Sequence, residues 1–269
     1  MRLLILKLVM CLSALLALGP GARAEVIGQA RNLHLNDLAQ ELGGEEVVLL
    51  GEGDEAFLGL SLQQRTNTPQ GAVLILHDKG QNPNWPVHLQ QARLFLPDVG
   101  WNTLSIALPL IGGYTTDAET TLNRIALGMQ RLNQDGQFNL VILGYGEGAY
   151  WAARYLSERQ TLQDDTGFGL MMVNVKTIAP DLPELVGGLN IPVLDWISQT
   201  SPATVRAADQ RQAQARRNGL GRYTQIRDPE QASYYSQATP NRTTRRLWGW
   251  LRTRMAGREG EFATVTEEQ

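Results

Sequence analysis

The sequence predicts an α/β fold, a mostly parallel eight-stranded sheet with helices on both faces. Three observations carry this. From residue 46 onward short apolar runs alternate with amphipathic ones, the rhythm of strands and helices that build a covered parallel sheet. "AVLILHD" (72–78) is almost continuously apolar, as a strand buried on both faces should be. "LVILGYGEGAYWAARYL" (140–156) joins an apolar strand to an amphipathic helix through a turn with three alternating glycines.

The elements follow in order. "EVVLL" (46–50) and "FLGLSLQ" (57–63) form a hairpin, because the glycines and acids of "GEGDEA" between them suit a turn. After the strand at 72–78, a helical stretch "PVHLQQARLFLPDVG" starts near Pro86 and "NTLSIALP" (102–109) is the next strand. "DAETTLNRIALGMQRLNQDG" (117–136) opens with acids and closes at a glycine, as the helix dipole and its caps favour. Beyond the central turn, "GLMMVNVK" (169–176), "IPVLDWIS" (191–198) and "GRYTQIRD" (221–228) read as strands, with a helix over 202–219 between the last two and a closing helix over 241–257. A hairpin and six further strands make eight, the count and order expected of an α/β-hydrolase.

The chain begins "MRLLILKLVMCLSALLALGPGARA", with Arg2 and Lys7 flanking an apolar core and Ala22 and Ala24 at the positions a signal peptidase reads. This predicts a signal peptide over 1–24, cleaved after Ala24, and a periplasmic protein. The apolar stretch is broken by Gly19 and Pro20 and falls short of the roughly 20 residues a spanning helix needs. Lipid attachment at Cys11 would want a small residue where Met10 stands. A lead-in segment over 25–45, the α/β domain over 46–258 and a polar tail over 259–269 complete the expected organisation, with no transmembrane span in the mature chain.

Removing the signal takes Arg2, Lys7 and Arg23 from the chain's 24 basic residues, which leaves 21 against 27 acids, a net charge of −6. That balance argues against a nucleic-acid partner. Cys11 is the only cysteine and leaves with the signal, so the mature chain has no disulfide, thiol nucleophile or cysteine ligand.

On "GWNTLSIALP" and "GYGEGAYWAARYL" together, the mature chain resembles the α/β-hydrolase superfamily, and within it an uncharacterised family of exported Gram-negative proteins known as a domain of unknown function. The resemblance implies a nucleophile elbow at the glycine turn. In an active member the elbow's serine is held in a strained conformation above the sheet, and the next residue's N–H forms half of the oxyanion hole. Here Gly144, Gly146 and Gly148 keep the turn, Tyr145 and Glu147 flank its apex, and the apex itself is Gly146.

The resemblance places an acid just past 191–198, where "QTSP" puts Ser201, and a histidine near "PEQASYY" (229–235), where none stands; the histidines are His34, His77 and His88. His77 and Asp78 fall where active members carry a His-Gly pair leading into the oxyanion loop, so a carboxylate replaces the glycine. Glu147, at a helix start, is stabilised as an anion, which suits a fixed charge better than a general base.

A non-catalytic binding or interaction protein of the cell envelope is therefore expected, its pocket lined by Gly144, Tyr145, Gly146, Glu147, Gly148, His77 and Asp78. The alternative is a hydrolase of an envelope ester or amide working through His77, Asp78 and Glu147. That reading requires at least two of the three within hydrogen-bonding reach around an open cleft, and fails if Glu147 points away and Tyr145 or Tyr150 fills the space above Gly146. A scaffold for other envelope proteins is a third option.

No cofactor or metal is expected. The spacing of His77, Asp78 and Glu147 matches no metal motif. "GYGEGA" satisfies a dinucleotide fingerprint, but the acid expected about 20 residues on would be Asp164 or Asp165, in a loop before the next strand rather than at its end. Residues 206–258 hold twelve arginines, whereas the mature lysines are Lys79 and Lys176 alone. The last helix could thus meet an acidic or phosphate-rich partner through its guanidinium forks, or be docked by its tryptophans with the arginines simply solvated. Partners remain open: a small ligand, a lipid or an envelope protein.

Overall fold

The computed structural model describes residues 35–42, 46–109, 118–159, 167–175, 179–198, 201–229 and 240–258. The signal segment, the tail, positions 199–200 and 230–239, and with them most of the stretch where a histidine was sought, lie outside these. Residues 35–42 form a helix, α1, which belongs to the unit Met1–Glu45.

The second unit, Glu46–Gln269, is built on an eight-stranded sheet in the order β1-β2-β4-β3-β5-β6-β7-β8. β1 (Val47–Leu50) and β2 (Phe57–Leu62) form the expected antiparallel hairpin, and β2 pairs antiparallel with β4 (Trp101–Ile106). From β4 through β3 (Gly71–Leu76), β5 (Leu140–Tyr145), β6 (Phe168–Val173), β7 (Val193–Ile197) and β8 (Tyr223–Arg227) every pairing is parallel. All six residues of β3 and of β5 are buried, which is why both read as unbroken apolar runs.

Helices cover both faces. One core joins α3 (Ala118–Gln134), α4 (Glu147–Arg159) and α5 (Leu182–Gly187) to the sheet through Ile125, Met129, Trp151, Leu156 and Val186. The opposite core holds α2 (Leu89–Phe95) and α7 (Arg242–Arg254) through Leu89, Ala92, Leu247, Trp250 and Leu251. Each such buried Leu, Ile, Val or Met side chain contributes about 1.5–3 kcal/mol relative to exposure.

α2 is shorter than its periodicity suggested. Val87 sits at φ 76°, the left-handed region, so residues 86–88 turn before the helix starts at Leu89. Asn241 then locks this turn to the start of α7: its Oδ1 accepts from the Thr244 N–H at 2.7 Å, its Nδ2 donates to the Val87 carbonyl at 3.2 Å, and its N–H donates to Gln91 Oε1. Six-residue α5 had no readable period, being less than two turns long.

α6 (Pro202–Arg217) begins at Ser201, whose side chain accepts from the Thr204 N–H at 3.2 Å. It is tied to the sheet by a buried ion pair. Asp195 in β7, with no exposed surface, accepts from Arg211 Nε at 2.8 Å and Nη2 at 3.0 Å, from the Tyr223 hydroxyl at 2.6 Å and from Gln225 Nε2 at 3.1 Å. Burial, followed by the Asp195 carboxylate, pushes the Tyr223 hydroxyl well above its ordinary value near 10.

Tyr223 therefore keeps its proton in the folded protein at a pH where the unfolded chain has lost it. Its contribution is complete below about pH 10 and declines as pH rises above that. Tyr223→Phe should accordingly flatten the alkaline fall of the urea midpoint; an unchanged slope above pH 10 would show that Tyr223 does not carry it.

Candidate functional site

β3 and β5 are parallel neighbours, with Leu76 paired to Gly144. Two residues further along each chain, Asp78 and Gly146 emerge level with one another at the C-terminal edge of the sheet. The strand order turns here, since β3 is followed by β4 on one side and β5 lies on the other. This is the crevice where open α/β sheets place their ligands.

The turn keeps the geometry that would present a nucleophile. Gly146 has φ +55°, its N–H donates to the Val173 carbonyl at 2.9 Å, and α4 begins at the next residue. Gly144 and Gly148 are required by close approach: a Cβ on Gly144 would lie 2.4 Å from Ala149 Cα, and one on Gly148 would lie 2.6 Å from the His77 carbonyl oxygen.

Above Gly146 stands the carboxylate of Asp78. A Cβ at position 146 would fall 2.1 Å from Asp78 Cγ and 2.3 and 2.4 Å from its two oxygens. Oδ1 accepts from the Glu147 N–H at 2.8 Å and from the Lys79 N–H at 2.8 Å. These donors are the residue after the apex and one from the loop after β3, the pair that builds an oxyanion hole in an active elbow. Both distances lie in the roughly 2.7–3.1 Å range wanted for an oxyanion. The Asp78 carboxylate thus stands in the space above the apex and accepts from an N–H group at the start of α4.

His77 is fully buried. The Leu108 N–H donates to its Nε2 at 2.9 Å, so the ring proton is on Nδ1, which donates to the Asp78 carbonyl at 2.8 Å. Both nitrogens of a neutral imidazole are thereby engaged with backbone, a role of holding the loop after β3 against β4. Glu147 is 3% exposed and starts α4. His77, Asp78 and Glu147 do come together: the His77 ring bonds the Asp78 carbonyl, and the Glu147 N–H bonds the Asp78 carboxylate.

The space above Gly146 is filled by Asp78, and not by Tyr145 or Tyr150, the arrangement that would have ruled out the hydrolase reading. The Tyr145 hydroxyl instead donates to the His88 carbonyl at 3.3 Å, and that of Tyr150 to Asp181 Oδ2 at 3.0 Å. Of the seven residues expected to line a pocket, Asp78 alone is more than slightly exposed.

The neighbouring strand ends hold further polar groups that the sequence did not single out. At the ends of β6 and β7, Asn174 and Ser198 bond to each other, the Ser198 N–H donating to Asn174 Oδ1 at 2.8 Å and Asn174 Nδ2 to Ser198 Oγ at 2.7 Å. Ser201, where an acid was sought, caps α6. Asp195 points away into its pair with Arg211, and Asp228 past β8 is bridged by Arg242 at 2.8 Å. Among the described residues no three His, Cys, Asp or Glu side chains gather as metal ligands would, and no helix is long and apolar enough to cross a membrane.

The profile of one family, described as a protein of unknown function (DUF3530), matches residues 3–116 and 113–253. No curated protein matches the sequence. Among solved structures, an esterase of Pyrococcus furiosus superposes with a TM-score of 0.60 at 15% identity, over 78% of this chain and 91% of its own. A dienelactone hydrolase of Anabaena variabilis gives 0.59 at 16% identity, over 78% and 97%. Est1E of Butyrivibrio proteoclasticus gives 0.57 at 10%, over 77% and 100%. At these identities the likeness establishes the fold, an α/β-hydrolase fold, as the resemblance implied.

Proposed function

The chain belongs to the DUF3530 family of proteins of unknown function, and on that premise we propose that it is an exported, non-catalytic binding or interaction protein of the cell envelope. In this reading it keeps an α/β-hydrolase scaffold whose catalytic triad has degenerated. The observation that carries it is the Asp78 carboxylate, bonded at 2.8 Å to both N–H groups that would receive an oxyanion and standing where a serine at position 146 would project. Turnover by an elbow needs that space free for a substrate carbonyl and those donors free for the charge that develops on it. His77 adds support, because a ring with both nitrogens on backbone has no lone pair for taking a proton from a nucleophile.

Export rests on the N-terminal segment. Cell fractionation should find the protein in the periplasm with Glu25 as its first residue, and an uncleaved cytoplasmic form would refute it.

The structural neighbours named as esterases make acyl esters the substrate class to try first. A series of nitrophenyl esters of increasing acyl length should show no turnover by the purified mature protein above that of His77→Ala and Glu147→Ala variants. Turnover that is lost in either folded variant would establish a rebuilt hydrolase and end the non-catalytic reading.

A further inference from the structure

We infer that the outward face of α7 docks the protein onto an anionic phospholipid bilayer. The proposal goes beyond the reading of the elbow and stands or falls separately from it.

α7, "RTTRRLWGWLRTR", contains no acidic residue. Its inward side is taken by Thr243, Thr244, Leu247, Trp250 and Leu251, all buried, which leaves Arg245, Arg246, Arg252 and Arg254 exposed. At about 100° per residue, Arg245, Arg246 and Arg252 fall within about 120° of one another around the helix, with Gly249 between them. A Cβ on Gly249 would meet nothing within 4 Å, so the middle of this face is low and open.

Among the described residues, most charges on this face have no carboxylate against them. Four exposed or half-buried arginines elsewhere, Arg65, Arg131, Arg154 and Arg227, lie against a carboxylate, namely Asp98, Asp135, Glu158 and Asp209. The exposed Arg206, Arg216 and Arg222 have no such partner among the described residues but are not gathered on one helix face with a tryptophan. On α7, among the described residues, only Arg242 lies against a carboxylate, that of Asp228. Among the described residues the guanidinium groups of Arg245, Arg246 and Arg254 have no such partner, and that of Arg252 lies 5.3 Å from the centre of the Trp248 ring.

The chain as a whole is acidic, with a net charge of −3, so an anionic surface would repel most of it and attract this face. Guanidinium forks match phosphate oxygens in a way that ammonium groups do not. A row of forks along one exposed helix meets phosphates displayed side by side, with no demand on their sequence. Trp248, half-buried against Phe95 at 5.9 Å and flanked by Arg252, supplies the amphipathic ring that sits well at headgroup depth. These features favour a bilayer over an acidic polypeptide, which would need matched spacing of its carboxylates.

The test is co-sedimentation of the purified mature protein with vesicles of equal parts phosphatidylglycerol and phosphatidylcholine, beside vesicles of phosphatidylcholine alone. Binding is expected to the first and not the second. It should fall at least about 100-fold in Arg245→Glu/Arg246→Glu/Arg252→Glu, taking each basic residue lost near an anionic surface as worth roughly fivefold and each added carboxylate as a further repulsion. Wild-type binding should also weaken strongly between about 0.1 M and 1 M salt, as screening shortens from about 10 to 3 Å. That measurement decides the matter even if the triple variant misfolds. Equal binding to the neutral vesicles, salt-independent binding, or capture by polyglutamate with no vesicle binding would each overturn the proposal.

Discussion

The variant Asp78→Gly/Gly146→Ser is expected to lose less stability than its two single changes added together, by at least about 1 kcal/mol. Gly146→Ser alone forces a non-glycine residue to φ +55°, costing about 1–3 kcal/mol, and drives its Cβ into the Asp78 carboxylate, from which it would lie 2.1 Å. The carboxylate must then move and give up two charge-assisted hydrogen bonds. Asp78→Gly alone removes the acceptor at the start of α4, where a lost partner for a buried donor costs about 1–3 kcal/mol. In the double variant the collision is gone and the serine hydroxyl stands in the vacated space. With about 2–4 °C per kcal/mol for a protein of this size, melting temperatures resolve the difference. Additivity within about 0.5 kcal/mol would mean that Asp78 does not occupy the apex space. The double variant should still hydrolyse no ester, because His77 remains engaged on both nitrogens and offers the new serine no base.

The second large effect is expected at the Asp195–Arg211 pair. Arg211→Met leaves Asp195, which has no exposed surface, as a buried carboxylate supported only by Tyr223 and Gln225. Breaking one side of such a pair costs about 3–5 kcal/mol, whereas replacing both sides with apolar residues is often close to neutral. Arg211→Met should therefore lower the urea midpoint far more than Asp195→Leu/Arg211→Met does. The single change acts on α6 and the strands beneath it, since the network joins β7, β8 and α6. A double variant as unstable as Arg211→Met would show that the network is needed for packing and not for charge balance.

Much of the architecture was legible in the sequence because burial on both faces of a parallel sheet leaves a local mark. β3 and β5 are apolar throughout, β1 and β2 are separated by a glycine-rich turn, and α3, α4 and α7 show the helical period over more than three turns each. The three glycines of "GYGEG" likewise announced a tight strand-to-helix turn, and their spacing follows from backbone close approach at Gly144 and Gly148 and from φ at Gly146. Ends of elements were less visible. Val87 and Asn174 take positive φ where they bond residues distant in sequence, contacts that no local pattern encodes.

The sequence by itself determined the element order, the glycine apex at position 146 and the presence of a carboxylate at position 78. Only the tertiary structure decided what that carboxylate does. Asp78 and Glu147 are 69 residues apart, and they meet because the register of β3 on β5 sets Leu76 beside Gly144. The same holds for Asp195, whose charge is tolerable in the core because α6 brings Arg211 to it and β8 brings Tyr223 and Gln225. Local chemistry writes strands, helices and turns into the sequence. The energy of a buried charge depends on which partners the fold carries to it, and that is a property of the packed chain.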